Sequence, residues 1–173
     1  MELEKVYFFT ATIKDWNNLL EKDVFKKIVL ESLQFLSSKK LIKVYGFVIM
    51  PNHIHLIWEM LELNGKESPH TSFLKYTAHK FLKTLREKDL NYLKFFEVNE
   101  QNKAHSFWQR NSLPIEVYSP KVVFQKLDYI HNNPCRGKWM LSESPDLYPF
   151  SSYEFYETGK DRFNFLYHIG ERI

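Results

Sequence analysis

The spacing of hydrophobic and polar positions changes several times along the chain, and each change marks an element. Residues 6–13 (VYFFTATI) are aromatic and β-branched and predict a strand. Over residues 23–38, Val24, Ile28, Val29, Leu33 and Leu36 recur at helical spacing and predict an amphipathic helix. Residues 42–50 (IKVYGFVIM) predict a second strand. Pro51-Asn52 interrupts it, and residues 53–60 (HIHLIWEM) predict a third, antiparallel to the second across a short turn. A polar loop over 61–70 leads to a helix from about Thr71 or Ser72, with Leu74, Ala78, Phe81, Leu82 and Leu85 on its apolar stripe. Residues 89–105 have no clear period. A fourth strand is expected around Phe107-Trp108 or Ile115-Glu116-Val117. Ser119-Pro120 starts a helix, Ser as N-cap and Pro at the first helical position, and Pro134 stops it after Asn133. The tail from Trp139 onward is aromatic, and Ser151 with Glu154 has the spacing of a capping box for a short last helix.

The order β-α-β-β-α-β followed by a helix predicts an α+β, ferredoxin-like split βαβ fold. It implies an antiparallel sheet with helices on one face, plus a C-terminal helical and aromatic extension. The 173 residues are 44% hydrophobic and 26% charged, which predicts a folded chain with a sizeable core. Residues 1–173 are read as one domain, with a core over about 5–137 and the extension over about 138–173.

A net charge of +3 permits a polyanionic partner without demanding one. Cys135 is the lone cysteine, so no internal disulfide is expected and the cytoplasm is the expected location. No apolar run approaches the ~20 residues of a membrane span, and Met1–Lys5 lacks the layout of a signal peptide, so no membrane partner is expected. Aromatic residues make up 17% of the chain, enough that some could serve as stacking surface besides filling the core.

Candidate chemistry begins with His53 and His55. Alternation along a strand points both imidazoles to one face, while Ile54, Leu56 and Trp58 point to the other. The pair suits a divalent cation, and spacing alone leaves open two half-exposed histidines on a sheet surface. On the helix after Ser119, Val123, Leu127 and Ile130 form the core stripe. Tyr129, Gln125, Lys126 and Asn133 gather opposite, with Tyr129 and Asn133 at i, i+4. An exposed tyrosine on an amphipathic helix is the plain alternative. His131 projects toward the core side, and Trp108 is expected in the core.

Two stretches resemble a known family. Residues 45–58 (YGFVIMPNHIHLIW) resemble the His-hydrophobic-His segment of single-tyrosine HUH transposases. Residues 107–137 (FWQRNSLPIEVYSPKVVFQKLDYIHNNPCRG) resemble the tyrosine-bearing helix of the same group. The likeness is greatest to REP-associated tyrosine transposases, through Phe107-Trp108-Gln109-Arg110, Tyr129-Ile130-His131-Asn132-Asn133-Pro134 and the tail stretch 148–153 (YPFSSY). The resemblance implies that His53 and His55 are metal ligands, Asn133 the third, and Tyr129 the nucleophile. The implied reaction is metal-dependent nicking and rejoining of single-stranded DNA, often hairpin-containing, through a 5′-phosphotyrosine, with magnesium or manganese as the divalent metal. It leaves monomer and homodimer both open.

Because Asn133 precedes a proline, its backbone is expected to be biased away from helical dihedrals. Lys126 could favour the phenolate, or be a surface lysine. Arg110, Arg136 and Lys138 flank the tyrosine helix and could meet phosphates. Two other functions fit some of the same residues. One is a zinc hydrolase, which would require a third His, Asp or Glu ligand. The other is a non-catalytic single-stranded DNA-binding protein descended from a transposase.

Overall fold

A computed structural model describes residues 1–110 and 112–173; Asn111, within the second matched stretch, lies outside it. In chain order the elements begin with β1 (Val6–Thr12), α1 (Asp23–Ser38), β2 (Ile42–Ile49), β3 (His53–Met60) and α2 (Pro69–Lys88). A short α3 (Leu90–Leu93) and the strands β4 (Glu97–Glu100) and β5 (Lys103–His105) follow. Then come β6 (Leu113–Glu116), α4 (Pro120–Asn132) and α5 (Tyr153–Thr158). The main sheet runs β2-β3-β1-β6 with every neighbouring pair antiparallel. This is the expected split βαβ order, with the small β4–β5 sheet inserted where the sequence carried no period.

Side-chain alternation in β1 shows how the layers form. Phe9 and Ala11 join the core under α1 and α2, whereas Val6 and Phe8 join a second core with Val123, Leu127 and Ile130 of α4. Helices on one face therefore describes α1 and α2 but not α4, which covers the opposite face. The reason lies in β2 and β3. All eight residues of β3 are buried, and seven of eight in β2. Strands covered on both sides read as near-continuous apolar runs rather than alternating ones.

Close packing of α4 depends on Gly46. A bulge separates Val44 from Gly46 in the pairing with β3, and a Cβ at Gly46 would stand 2.7 Å from Leu127 Cδ1 and 3.1 Å from Ile130 Cδ1. Gly46→Val is expected to overpack this contact and lower stability by about 1–3 kcal/mol, read as a lower midpoint in urea unfolding.

The start sites of two helices differ from expectation. Helix α2 begins at Pro69, one turn's fraction earlier, because Ser68 caps it by accepting from the Thr71 N–H. Helix α5 has Ser152 as N-cap; Ser151 Oγ accepts from Tyr153 N–H, and Glu154 pairs with Arg162, so no capping box forms. Trp108 is buried and its indole N–H donates to Thr77 Oγ1 at 2.9 Å, a core role as expected. His131 is buried too, with Nε2 2.8 Å from Ser152 Oγ.

The extension after α4 folds back along β2. Ser151 bridges to Val48 and Leu166 to Val44, and Arg172 closes it with a bidentate pair to buried Glu59, which also accepts from Tyr45 OH. No helix among the described residues is long and apolar enough to cross a membrane.

Candidate active site

The site forms where α4 crosses β3. His53 and His55 project to the α4 side, their ring centroids 4.8 Å apart. They are not half-exposed on a sheet surface: they are 7% and 6% exposed, because α4 and the loop behind it cover this face of the sheet. Burial pushes the His53 imidazolium pKa down to about 4, helped by the charge of Lys138. Burial likewise pushes His55 down to about 3, with His53 and Lys126 adding to the effect. Both rings are therefore neutral at pH 7 and keep a lone pair.

Which nitrogen carries that lone pair follows from the neighbours. Asn52 Nδ2 donates to the Trp16 carbonyl at 3.2 Å, so its Oδ1 faces His53 and accepts from Nδ1–H at 2.8 Å. That leaves Nε2 of His53 as the unprotonated atom. Thr10, the cross-strand partner of His55, brings Oγ1 to 2.8 Å from His55 Nδ1. His55 Nε2 is fully buried and has no hydrogen-bond partner among the described residues. A buried polar atom left unpaired costs about 1–3 kcal/mol. Orphaned Nε2 beside a second histidine held through its own Nδ1 is the donor arrangement that a cation would satisfy.

Tyr129 comes to this pair from α4 of the same chain. Its ring lies edge-on to His55 at 5.4 Å and to Phe8 at 6.2 Å, and the residue is 48% exposed. The position is set by helical phase: Val123, Leu127 and Ile130 anchor α4 on the sheet, and Tyr129 falls on the flank of that stripe. Lys126, one turn earlier, extends its ammonium over Phe8 at 4.6 Å and over Tyr129 at 5.9 Å. Asn133 remains helical (φ −54°, ψ −44°) despite the following proline. Pro134 opens a 3-10 turn, Asn133–Cys135, at a position where its missing N–H is not needed, so the bias against helix is overridden. Asn133 thus continues the Tyr129 face by one turn, half-buried, its side-chain amide unpaired among the described residues.

The flanking cations divide. Lys138 stands over the Trp139 ring at 5.0 Å, and Trp139 lies 5.7 Å from His53, so both belong to the site. Arg136 is exposed on the same loop. Arg110 is instead paired with Glu100 at 2.6 Å. Among the described residues no group of three His, Cys, Asp or Glu gathers anywhere, so the third ligand a zinc hydrolase needs is not supplied by those types. Three contributors escaped the reading of the sequence. Asn52 could have been found as the polar neighbour of His53, Thr10 only from the strand register, and Trp139 only from the path of the loop.

No protein-family model and no curated protein sequence matches the chain. A solved structure of a REP-associated tyrosine transposase bound to a REP hairpin does match in three dimensions. Its TM-score is 0.62 at 16% identity, covering 97% of this chain and 88% of that one. The chain thus has a transposase-like α+β fold, built on a four-stranded antiparallel sheet with helices.

Proposed function

We propose that this protein nicks and rejoins single-stranded DNA, with Tyr129 as nucleophile beside a divalent-metal site on His53 and His55, the HUH arrangement. The observation that carries the proposal is a phenol ring whose centroid lies 5.4 Å from that of an imidazole whose buried Nε2 has no hydrogen-bond partner among the described residues. Asn133, on the tyrosine face of α4, completes the proposed ligand set. A bound magnesium or manganese would neutralise charge on a non-bridging phosphate oxygen and orient the strand. Imidazole ligands make manganese the easier of the two to hold.

The chain's own residues then do the following. Asn52 and Thr10 hold the imidazoles through Nδ1 and leave both Nε2 atoms free for a cation. Helix α4, packed on the sheet through Val123, Leu127 and Ile130, leaves Tyr129 half exposed beside His55. The phenolic oxygen bonds to phosphorus as the P–O3′ bond breaks, the phenolic proton passes to solvent, and the released 3′-oxygen is protonated. Reversal by a 3′-hydroxyl attacking the phosphotyrosine rejoins the strand, so bond energy is kept across both steps. Lys126 lies close enough to stabilise the developing phenolate. Lys138 and Arg136 supply phosphate contacts, and Arg110 could add one only by leaving Glu100.

The pair and the tyrosine come from one chain, so a homodimer is not needed to complete the site. The reading has one domain act as a unit in the cytoplasm. Its partner would be single-stranded DNA carrying a hairpin, as the hairpin bound by the matched transposase suggests.

A substrate comparison tests the proposal. A hairpin with a single-stranded tail should bind more tightly than the matching blunt duplex, because the tail lets a phosphate reach the tyrosine. Manganese should support cleavage of the tail, and binding should weaken steadily with salt. Equal affinity for both substrates, with no cleavage in either, would contradict it.

A further inference from the structure

Four aromatic rings form a row across the site: Tyr129, His55, His53 and Trp139, at successive centroid separations of 5.4, 4.8 and 5.7 Å. Tyr129 and the histidines have roles in the proposed reaction. Trp139 has none. It is half-buried at the far end of the row, packed on its inner side against the α4 core, and its indole N–H makes no hydrogen bond among the described residues. Over its ring stands the exposed Lys138, its ammonium 5.0 Å from the ring centroid.

The loop that delivers Trp139 is held in an unusual backbone shape. Gly137 has φ 62° and Met140 φ 40°, so the tryptophan sits between two left-handed residues. Glycine takes that conformation freely, but methionine does not, and Met140 is 67% exposed with no packing reward on its own account. Strain of this kind persists where the surroundings over-determine it, and between these two residues Trp139 lies 5.7 Å from His53.

We infer that Trp139 is a stacking platform for one unpaired nucleobase of the DNA strand, next to the phosphate held at the histidine pair, with Lys138 as its phosphate contact. This rests on the reading of the site as a DNA-cleaving centre. The separation suits it: 5.7 Å from His53 is within the reach of a base from its own phosphate. A flat indole with a wet outer face serves every base, because each has a π-face. The incoming base takes the place of the Lys138 ammonium over the ring, and the freed ammonium is left on the same flexible stem to pair with the adjoining phosphate. The subsite would therefore favour an unpaired base over a paired one. It offers no hydrogen-bond pattern that selects among the four, apart from the indole N–H.

Photo-crosslinking tests the assignment. The probe is a hairpin whose single-stranded tail carries 5-iododeoxyuridine at every thymidine position, bound to the full chain without added metal so that cleavage does not intervene. Peptide mapping should place the adduct on Trp139. Two substitutions keep bulk in the half-buried position. Trp139→Phe retains an aromatic face and should bind the tail within about threefold of the parent. Trp139→Leu should lose on the order of tenfold, the size of one base–aromatic stack. Adducts confined to other residues, or equal tail affinity in the Leu and Phe variants, would overturn the stacking role while leaving Tyr129 cleavage intact. Failure of the parent chain to bind the tail would overturn both readings together.

Discussion

His55→Gln is expected to fold and to lose DNA cleavage, by more than the ~10–100-fold typical of disturbing an outer-shell partner of a metal. Glutamine is the informative replacement because His55 is buried under α4. Alanine there would open a cavity beneath Tyr129 and strand the Thr10 hydroxyl, so inactivity could follow from a displaced helix. Glutamine keeps bulk and polarity but replaces the neutral imidazole lone pair with an amide, a much weaker ligand for manganese. His53→Gln should behave alike, with Asn52 retaining its bond to the Trp16 carbonyl. Manganese binding, followed calorimetrically, should weaken in parallel with the cleavage rate, while thermal melting changes little. Full cleavage by either variant, or by the parent in excess chelator, would contradict the metal role of the pair.

The second large effect is expected at Tyr129. Tyr129→Phe removes one oxygen from a side chain that is half exposed and makes no hydrogen bond among the described residues. The ring packing against His55 and Phe8 remains, so stability, metal binding and affinity for the single-stranded tail should all persist. Cleavage and rejoining should both vanish, because the proposed nucleophilic oxygen is gone. A hydrolytic enzyme using the histidines with water would tolerate the change. A retired DNA-binding protein would show no cleavage before or after it.

Much of this site was legible in the sequence because it depends on local periods. Strand alternation put His53 and His55 on one face, and the structure keeps that placement. Helical phase put Tyr129 opposite the core stripe with Asn133 one turn on, whereas the structure turns Tyr129 to the flank, against His55 and Phe8. What the sequence did not reveal depends on elements meeting. The close seat of α4 on β2 depends on Gly46 leaving room for Leu127 and Ile130, a contact between residues far apart in the chain. That contact decides that the histidines are buried rather than half-exposed, and so decides their neutrality. The Thr10–His55 bond depends on the register of β1 against β3, which no single strand discloses. Arg110 looked like its neighbours in the motif, and only the inserted β4–β5 sheet, with Glu100 on it, shows that its charge is engaged. Residues 89–105 gave no period because they break into short pieces, a one-turn helix, a 3-10 turn and two strands of three or four residues.

The most direct measurement is the mass of the protein after it meets a cleavable hairpin-tailed oligonucleotide with manganese, followed by peptide mapping. The phosphotyrosine account predicts a gain equal to the 5′-phosphorylated downstream fragment less one water, located on Tyr129 and absent from Tyr118, Tyr148 and Tyr153. Cleavage without any covalent adduct, or cleavage by Tyr129→Phe at the parent rate, would contradict it.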